Sequence, residues 1–224
     1  MANILLPGTA RREHGKGNSQ WIDIRLADEG TAAYDRLRSF VGEAFRRCYG
    51  AEIRHFLPHF LHIRDTEGRH QTVVGYRGGH EGAFFLEHYL DQPIEQVLSQ
   101  HLGEAIDRGQ IVEVGNLADS TPGMARLSIL ATTRCLYGMG YRWVVFTGVR
   151  RLYNAFRRLG LRPMELADAD PSRLQEDEAR RWGNYYRDQP KVYVGRIEDG
   201  YRRLISARSG RPAANASGSL AVPS

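Results

Sequence analysis

The stretch Tyr141-Arg142-Trp143-Val144-Val145-Phe146-Thr147 is apolar through its middle without alternation, as a strand reads when both faces of its sheet are covered. Upstream, Ile111-Val112-Glu113-Val114 has the same character apart from one acid, and the chain between them turns into a helix through about Tyr137, ended by Gly138 and Gly140. Strand, helix and strand in that order make a parallel crossover, which commits the chain to an α/β sheet with helices packed on it.

The flanking segments extend that sheet. Trp21 to Leu26 alternates apolar with polar and predicts a strand, and a helix follows in which Tyr34, Leu37, Val41, Phe45 and Cys48 recur at three-and-four spacing before Gly50. Strands at 60–64 and 72–76 form a hairpin around Asp65-Thr66-Glu67-Gly68. Phe84 to Leu90 leads to Pro93, which starts a helix with Ile94, Val97, Leu98 and Leu102, so that Glu87, His88 and Tyr89 lie between an apolar strand and that helix. A short helix from Leu152 to Leu159 stops at Gly160, and further strands fall near 163–166 and 192–195. Residues 19–206 therefore form one domain, while 1–18 and 207–224 are aperiodic, small and polar, and are expected to be disordered.

Of 224 residues, 42% are hydrophobic, enough for an ordinary core, yet no run reaches the ~18 apolar residues of a membrane-crossing helix. The N-terminus lacks a positive segment ahead of Ile4-Leu5-Leu6, so a cytoplasmic location is expected. The two cysteines, Cys48 and Cys135, sit among apolar helical neighbours and read as buried thiols. A net charge of +5, almost all from Arg since Lys16 and Lys191 are the only lysines, favours phosphates, an acidic carrier protein or peripheral contact with an anionic membrane; no nucleic acid is expected. His55, His59 and His62 have metal-like spacing, but Pro58 breaks the helix that would align them. No Ser-His-Asp elbow, Walker loop, Cys-x-x-Cys pair or dinucleotide glycine fingerprint is present, and neither a metal nor a tightly bound cofactor is expected.

Two segments resemble the acyl-CoA N-acyltransferase (GNAT) superfamily over roughly residues 20–200. Ser120-Thr121-Pro122-Gly123-Met124-Ala125 is similar to its pyrophosphate loop at Gly123 and Ala125, with Ser120 in place of a basic or amide residue and Pro122 removing a donor. Tyr153-Asn154-Ala155-Phe156-Arg157-Arg158-Leu159-Gly160-Leu161 resembles its late helix, with Phe156 where a Tyr often protonates the leaving thiolate. Three further phrases, Phe85 to Glu95, Ile111 to Ala118 and Trp182-Gly183-Asn184-Tyr185-Tyr186, resemble the thermostable hemolysin family, itself distantly similar to acyltransferases related to autoinducer synthases.

The resemblance implies an α/β GNAT fold, a mixed central sheet with splayed parallel strands flanked by helices. It implies an acyl-CoA or other acyl-pantetheine thioester as co-substrate, the latter on an acyl carrier protein, and an amine or amino-acid acceptor. Val114, Leu117, Ala118, Gly123, Met124, Ala125, Arg126 and Asn154 would then contact the donor, and Glu87, Tyr89 and Trp143 the acceptor. Asp91 and Glu95 near Glu87 would favour a cationic acceptor, unless the segment is a solvated acidic face.

An unpaired carboxylate in the middle of an apolar strand is costly to bury, so Glu113 faces either a cleft or an Arg partner. In a cleft it is placed to take a proton from an amine, with burial raising its pKa. Gly115 favours a bulge that brings Asn116 to the same side, where it orients the acceptor or the thioester carbonyl, or else ties down a loop. Tyr185 is the candidate acid for the leaving sulfur, against a core or lid role shared with Tyr186. Arg150, Arg151, Arg157 and Arg158 bracket one helix and suit donor phosphates, an acidic carrier or a bilayer surface. The leading reading is transfer of an acyl group, long-chain fatty acyl included, from a thioester to an amine by direct attack. Its rivals are direct membrane lysis, the phenotype recorded in the family name, and a GNAT-shaped binding module without catalysis.

Overall fold

The computed structural model describes residues 22–65, 71–120 and 125–206. Both termini, the centre of the predicted hairpin turn, and residues 121–124 of the predicted pyrophosphate loop lie outside the described residues.

Seven strands form one sheet: β1 (Ile22–Asp28), β2 (His59–Asp65), β3 (Gln71–Gly78), β4 (Ile111–Asp119), β5 (Trp143–Gly148), β6 (Met164–Asp168) and β7 (Lys191–Arg196), in the order β1-β2-β3-β4-β5-β7-β6. Neighbours are antiparallel except β4 and β5, the parallel pair of the central crossover. Six helices accompany it among the described residues: α1 (Ala32–Tyr49), α2 (Ile94–Leu102), α3 (Ala125–Gly138), α4 (Arg150–Arg158), α5 (Glu176–Arg181) and α6 (Ile197–Ser206).

Helix α1 begins where the Thr31 side chain accepts the Tyr34 N–H at 3.2 Å and ends at Gly50, whose φ of 65° is a left-handed cap. Its stripe of Tyr34, Leu37, Val41 and Phe45 covers one face of the sheet with Phe60, Val73 and Val145. Ala131, Cys135 and Leu136 of α3 cover the other, with Leu61, Ile63, Val74 and Ile197. Each fully buried Leu, Ile or Phe in these two layers contributes roughly 1.5–3 kcal/mol from removal of its apolar surface from water.

The central pair is short. Ile111 to Val114 pairs with Trp143 to Phe146, and the remainder of β4 has no β5 partner. Between the pairs Gly75↔Gly115 and Val73↔Ala118, β4 holds one residue more than β3, so it carries a bulge. Asn116 occupies the bulge at φ 49°, left-handed backbone that is uncommon outside Gly and Asn. The bulge follows directly on Val114, the last residue of β4 paired with β5, where the sheet opens.

Four features differ from the sequence expectations. Phe85–Tyr89 is a 3₁₀ turn and not a strand, because the Glu87 carboxylate caps the Phe84 N–H at 2.8 Å and curls the apolar run. The segment ahead of Trp182 holds α5, and the chain after β7 holds α6, whose signal was Ile197, Tyr201 and Leu204 at helical spacing. Cys48 is exposed, at the last turn of α1 where the stripe has passed the edge of the core. Cys135 is buried, and burial pushes its thiol up to about 11.

Candidate active site

A cavity of about 760 Å³ passes through the sheet where β4 and β5 part. On the α1 side its wall is built from Phe45, Tyr49, His55, Phe85, Tyr89, Trp182 and Tyr185; on the α3 side it is built from Ile129, Thr132, Leu136, Val144 and Leu161. Arg47, Arg151 and Arg158 also line it, Arg151 donating to the Tyr49 hydroxyl with its guanidinium 5.4 Å from that ring centre.

Glu113 projects to the α1 side and is 4% exposed. Its two oxygens accept the N–H groups of Phe85 at 3.0 Å and Leu86 at 2.9 Å. Burial pushes its carboxyl up to about 7, against the pull of those N–H groups and the nearby Arg77 charge. Of the two readings left open, it faces the cavity and has no Arg within ion-pair distance among the described residues.

The turn that supplies those N–H groups is fixed by Glu87 and Arg108. Glu87 accepts from Phe84 N and Ile94 N at 2.8 and 2.9 Å, and Arg108 reaches its two oxygens at 2.6 and 2.9 Å. Arg108 also donates to Gly79 O, Gly82 O and Glu95, and lies 4.7 Å from the Phe84 ring centre. Burial pushes the Glu87 carboxyl up, but Arg108 and the two N–H groups together bring it below the usual range. Glu87 is thus a buckle, off the cavity wall. The cationic-acceptor signal from this segment fails with it, since Glu95 pairs with Arg108 and Asp91 with Arg173 at 2.7 Å.

The bulge brings Asn116 to the Glu113 side: Ile111 and Ala118 belong to the α1-side core, while Val114 and Leu117 pack on the α3 side. Its amide is already engaged, Oδ1 accepting from Leu57 N at 2.8 Å and Nδ2 donating to His55 O at 3.3 Å. This is the loop-tying arrangement, and a Cβ on Gly75 would come within 3.0 Å of Oδ1.

Val114, Leu117, Ala118 and Ala125 lie on the cavity wall. Gly123 and Met124 lie outside the described residues. Arg126 and Asn154 are exposed and off the wall, because α4 turns Leu152, Ala155 and Phe156 inward instead. Trp143 is also off it: it sits at the paired start of β5, 6% exposed, with Arg196 over its ring at 5.8 Å. Tyr89 and Tyr185 are on the wall; Tyr89 shares a 2.5 Å hydroxyl contact with Tyr186, and burial raises the phenols of both Tyr89 and Tyr185. Phe156 also lines the cavity and stacks on Phe146 with centroids 5.0 Å apart. His59 bridges Asp28 and Glu81, and His62 contacts Gln71 at 3.0 Å.

Sequence reasoning missed Arg108 and the ring residues of α1. Phe45 was visible only as core stripe, and nothing local marks Arg108, whose partners lie 13 to 29 residues upstream.

A mixed sheet whose central parallel strands part over a through-going cavity defines the acyl-CoA N-acyltransferase fold, and comparisons with known proteins agree. Residues 27–201 match the family model described as thermostable hemolysin, and the chain belongs to that family. Comparison with curated protein sequences finds no match. Among solved structures it is similar to FeeM, an N-acyl amino acid synthase from uncultured soil microbes, with TM-score 0.54 and 11% identity over 85% of this chain and 98% of that one. TofI in an apo form has TM-score 0.50 at 12% identity, covering 82% of this chain and 96% of that one. The AHL synthase LasI has TM-score 0.50 at 10% identity, covering 80% and 91%. At these identities the likeness establishes the fold.

Proposed function

We propose that this chain transfers an acyl group from a thioester donor to an amine. One observation carries the reading: a buried carboxyl pushed up to about 7 stands on the wall of a cavity that opens between the parting central strands. A carboxylate with that proton affinity takes a proton from an ammonium near neutral pH, where an ordinary Glu is too weak a base. The folds it shares with an N-acyl amino acid synthase and an AHL synthase support the same chemistry.

In this reading Glu113 removes one proton from the acceptor ammonium. The freed amine attacks the thioester carbonyl, a C–N bond forms, and the C–S bond breaks. The second nitrogen proton passes to the leaving thiolate, with Tyr185 on the cavity wall as the residue proposed to relay it. The β5-side edge of β4 beyond Val114, which has no strand partner there, supplies donors and acceptors for the pantetheine arm. Arg158 supplies positive charge for the phosphates of coenzyme A or the acidic surface of a carrier protein, donors that belong in the cytoplasm. Asn116 holds the loop 55–57 while lining the cavity itself, and so shapes the acceptor side. Among the described residues no helix is long and apolar enough to cross a membrane.

The test is mass-spectrometric detection of an acyl amide and an equivalent of free thiol, from acyl-coenzyme A and acyl-carrier-protein donors of several lengths with a pool of amines. Amide from the wild type that is absent with Glu113→Gln supports the reading; binding of donor with no amide from any pair contradicts it.

A further inference from the structure

The two sides of the cavity differ in chemistry. Beyond the sheet on the α3 side the wall is aliphatic, with Ile129, Leu136, Val144 and Leu161. On the α1 side it is a nearly continuous surface of rings. Phe85 lies 5.6 Å from Trp182, Trp182 lies 5.9 Å from Phe45 and 5.2 Å from Tyr185, and Tyr185 lies 5.2 Å from Tyr49, all centroid to centroid. Adjacent rings are tilted or edge-on to one another, the geometry in which aromatic quadrupoles attract. This ring wall begins at Phe85, the residue whose own N–H holds Glu113.

The charges on that side are as selective as the shape. Glu113 is the single buried carboxylate among the described residues. Glu87 and Glu95 are paired with Arg108, Asp91 with Arg173, and Glu178 accepts from Trp182 Nε1 at 3.2 Å. Arg151, stacked on Tyr49, puts a fixed positive charge against the far end of the ring wall. Glu113 is thus the buried carboxylate that the ring wall offers an ammonium, and a second positive charge further along would meet Arg151.

We propose that the acceptor is a primary monoamine on an aromatic stem, its ammonium at Glu113 and its ring against Phe85, Trp182 and Tyr49. Glu113 fixes which side the amine enters from, since the group that takes the proton projects to the ring wall. The acyl chain then occupies the aliphatic side, and the two substrates meet at the gap between β4 and β5. Aromatic side chains favour an aromatic partner by edge-to-face and offset contacts and also attract the ammonium over their faces. Polyamines are disfavoured because a second ammonium along the ring wall would meet the Arg151 guanidinium over Tyr49.

This inference rests on the acyl-transfer reading, and the experiment separates the two. Wild-type protein is given one acyl donor with equimolar phenethylamine, hexylamine and spermidine, and separately with phenylalanine and leucine, and the acyl amides are quantified. Phenethylamine is expected to exceed hexylamine, and phenylalanine leucine, by about tenfold in kcat/KM, which corresponds to about 1.4 kcal/mol. Phe85→Leu and, independently, Tyr49→Leu are expected to bring both ratios towards one, with circular dichroism reporting that each variant is folded. Equal or better use of hexylamine, leucine or spermidine by the wild type, or ratios unchanged in both folded variants, overturns the aromatic acceptor while leaving acyl transfer standing. Absence of amide from every amine overturns both.

Discussion

Arg77 stands directly opposite Glu113 in the register of β3 and β4, yet its Nη1 donates to the Ala83 carbonyl at 2.7 Å and the carboxylate is left to the N–H groups of Phe85 and Leu86. A direct ion pair would lock Glu113 in its charged form; neutral N–H donors in a dry setting leave the two protonation states closer in free energy.

That balance makes stability depend on pH. The folded-state pKa of Glu113 is raised from 4.5 to about 7, so the protein binds this proton more tightly when folded. Its contribution to stability is therefore full below the unfolded value and is lost as pH rises through about 7. The whole effect is about 3–4 kcal/mol at most, at roughly 1.4 kcal/mol per pKa unit. Urea midpoints at pH 5 and pH 8 should show the wild type losing stability that Glu113→Gln retains, and parallel losses in the two proteins would exclude the mechanism.

Arg108→Ala removes four sets of contacts on the loop from Gly79 to Glu95 and leaves Glu87 without its cation. A loss of about 2–3 kcal/mol is expected, below that of a fully buried pair because Arg108 keeps a quarter of its side chain exposed. With the Phe85 and Leu86 N–H groups no longer aimed, the apparent pKa of Glu113 should rise further. Arg108→Lys should not restore it, since an ammonium cannot span both oxygens of Glu87 while holding two carbonyls. Carboxyl carbon NMR titration of Glu113 measures the shift directly.

At Gly183 the backbone has φ 55°, and an added Cβ would collide with the Tyr49 carbonyl oxygen. The same turn is tied to the end of α1 by Asn184 N to Tyr49 O at 2.8 Å and Glu52 N to Arg181 O at 2.7 Å. Gly183→Ala should therefore cost about 3 kcal/mol or more by strain and displacement, and should move Trp182 and Tyr185. Thermal unfolding together with Trp fluorescence reads both effects; an unchanged melting temperature would contradict the account.

How much of this was legible depends on the range of each interaction. The crossover from β4 through α3 to β5 was readable because apolar continuity is a local property, and the bulge was readable because Gly115-Asn116 is a local signal. Glu113 stood out as an acid where a strand is otherwise apolar. Its hydrogen-bond partners did not, since Phe85 and Leu86 are 28 and 27 residues away and their N–H groups have no sequence signature. Glu87, Asp91 and Glu95 looked like a free acidic face because their arginines arrive from elsewhere in the chain. Trp143 and Asn154 were misplaced for a related reason: the strand or helix was found, but which of its residues faces the cavity is decided by packing.

Asn116→Ala should destabilise by about 2–3 kcal/mol, because it leaves the buried Leu57 N–H unpaired and puts a less suitable residue at φ 49°. Asn116→Gly removes the backbone strain and keeps only the hydrogen-bond loss, so it should be the milder of the two. Chemical denaturation of the pair separates the contributions; equal losses would mean the left-handed backbone is not strained.

The most direct test of the central claim is kcat/KM for acyl-amide formation against pH, in the wild type and in Glu113→Gln. The wild type should rise through an inflection near the pKa of about 7 and then level off, while Glu113→Gln should be at least about 100-fold slower and lack that inflection. A folded Glu113→Gln variant within about threefold of wild type and with the same pH profile would contradict the assignment of Glu113 as the base.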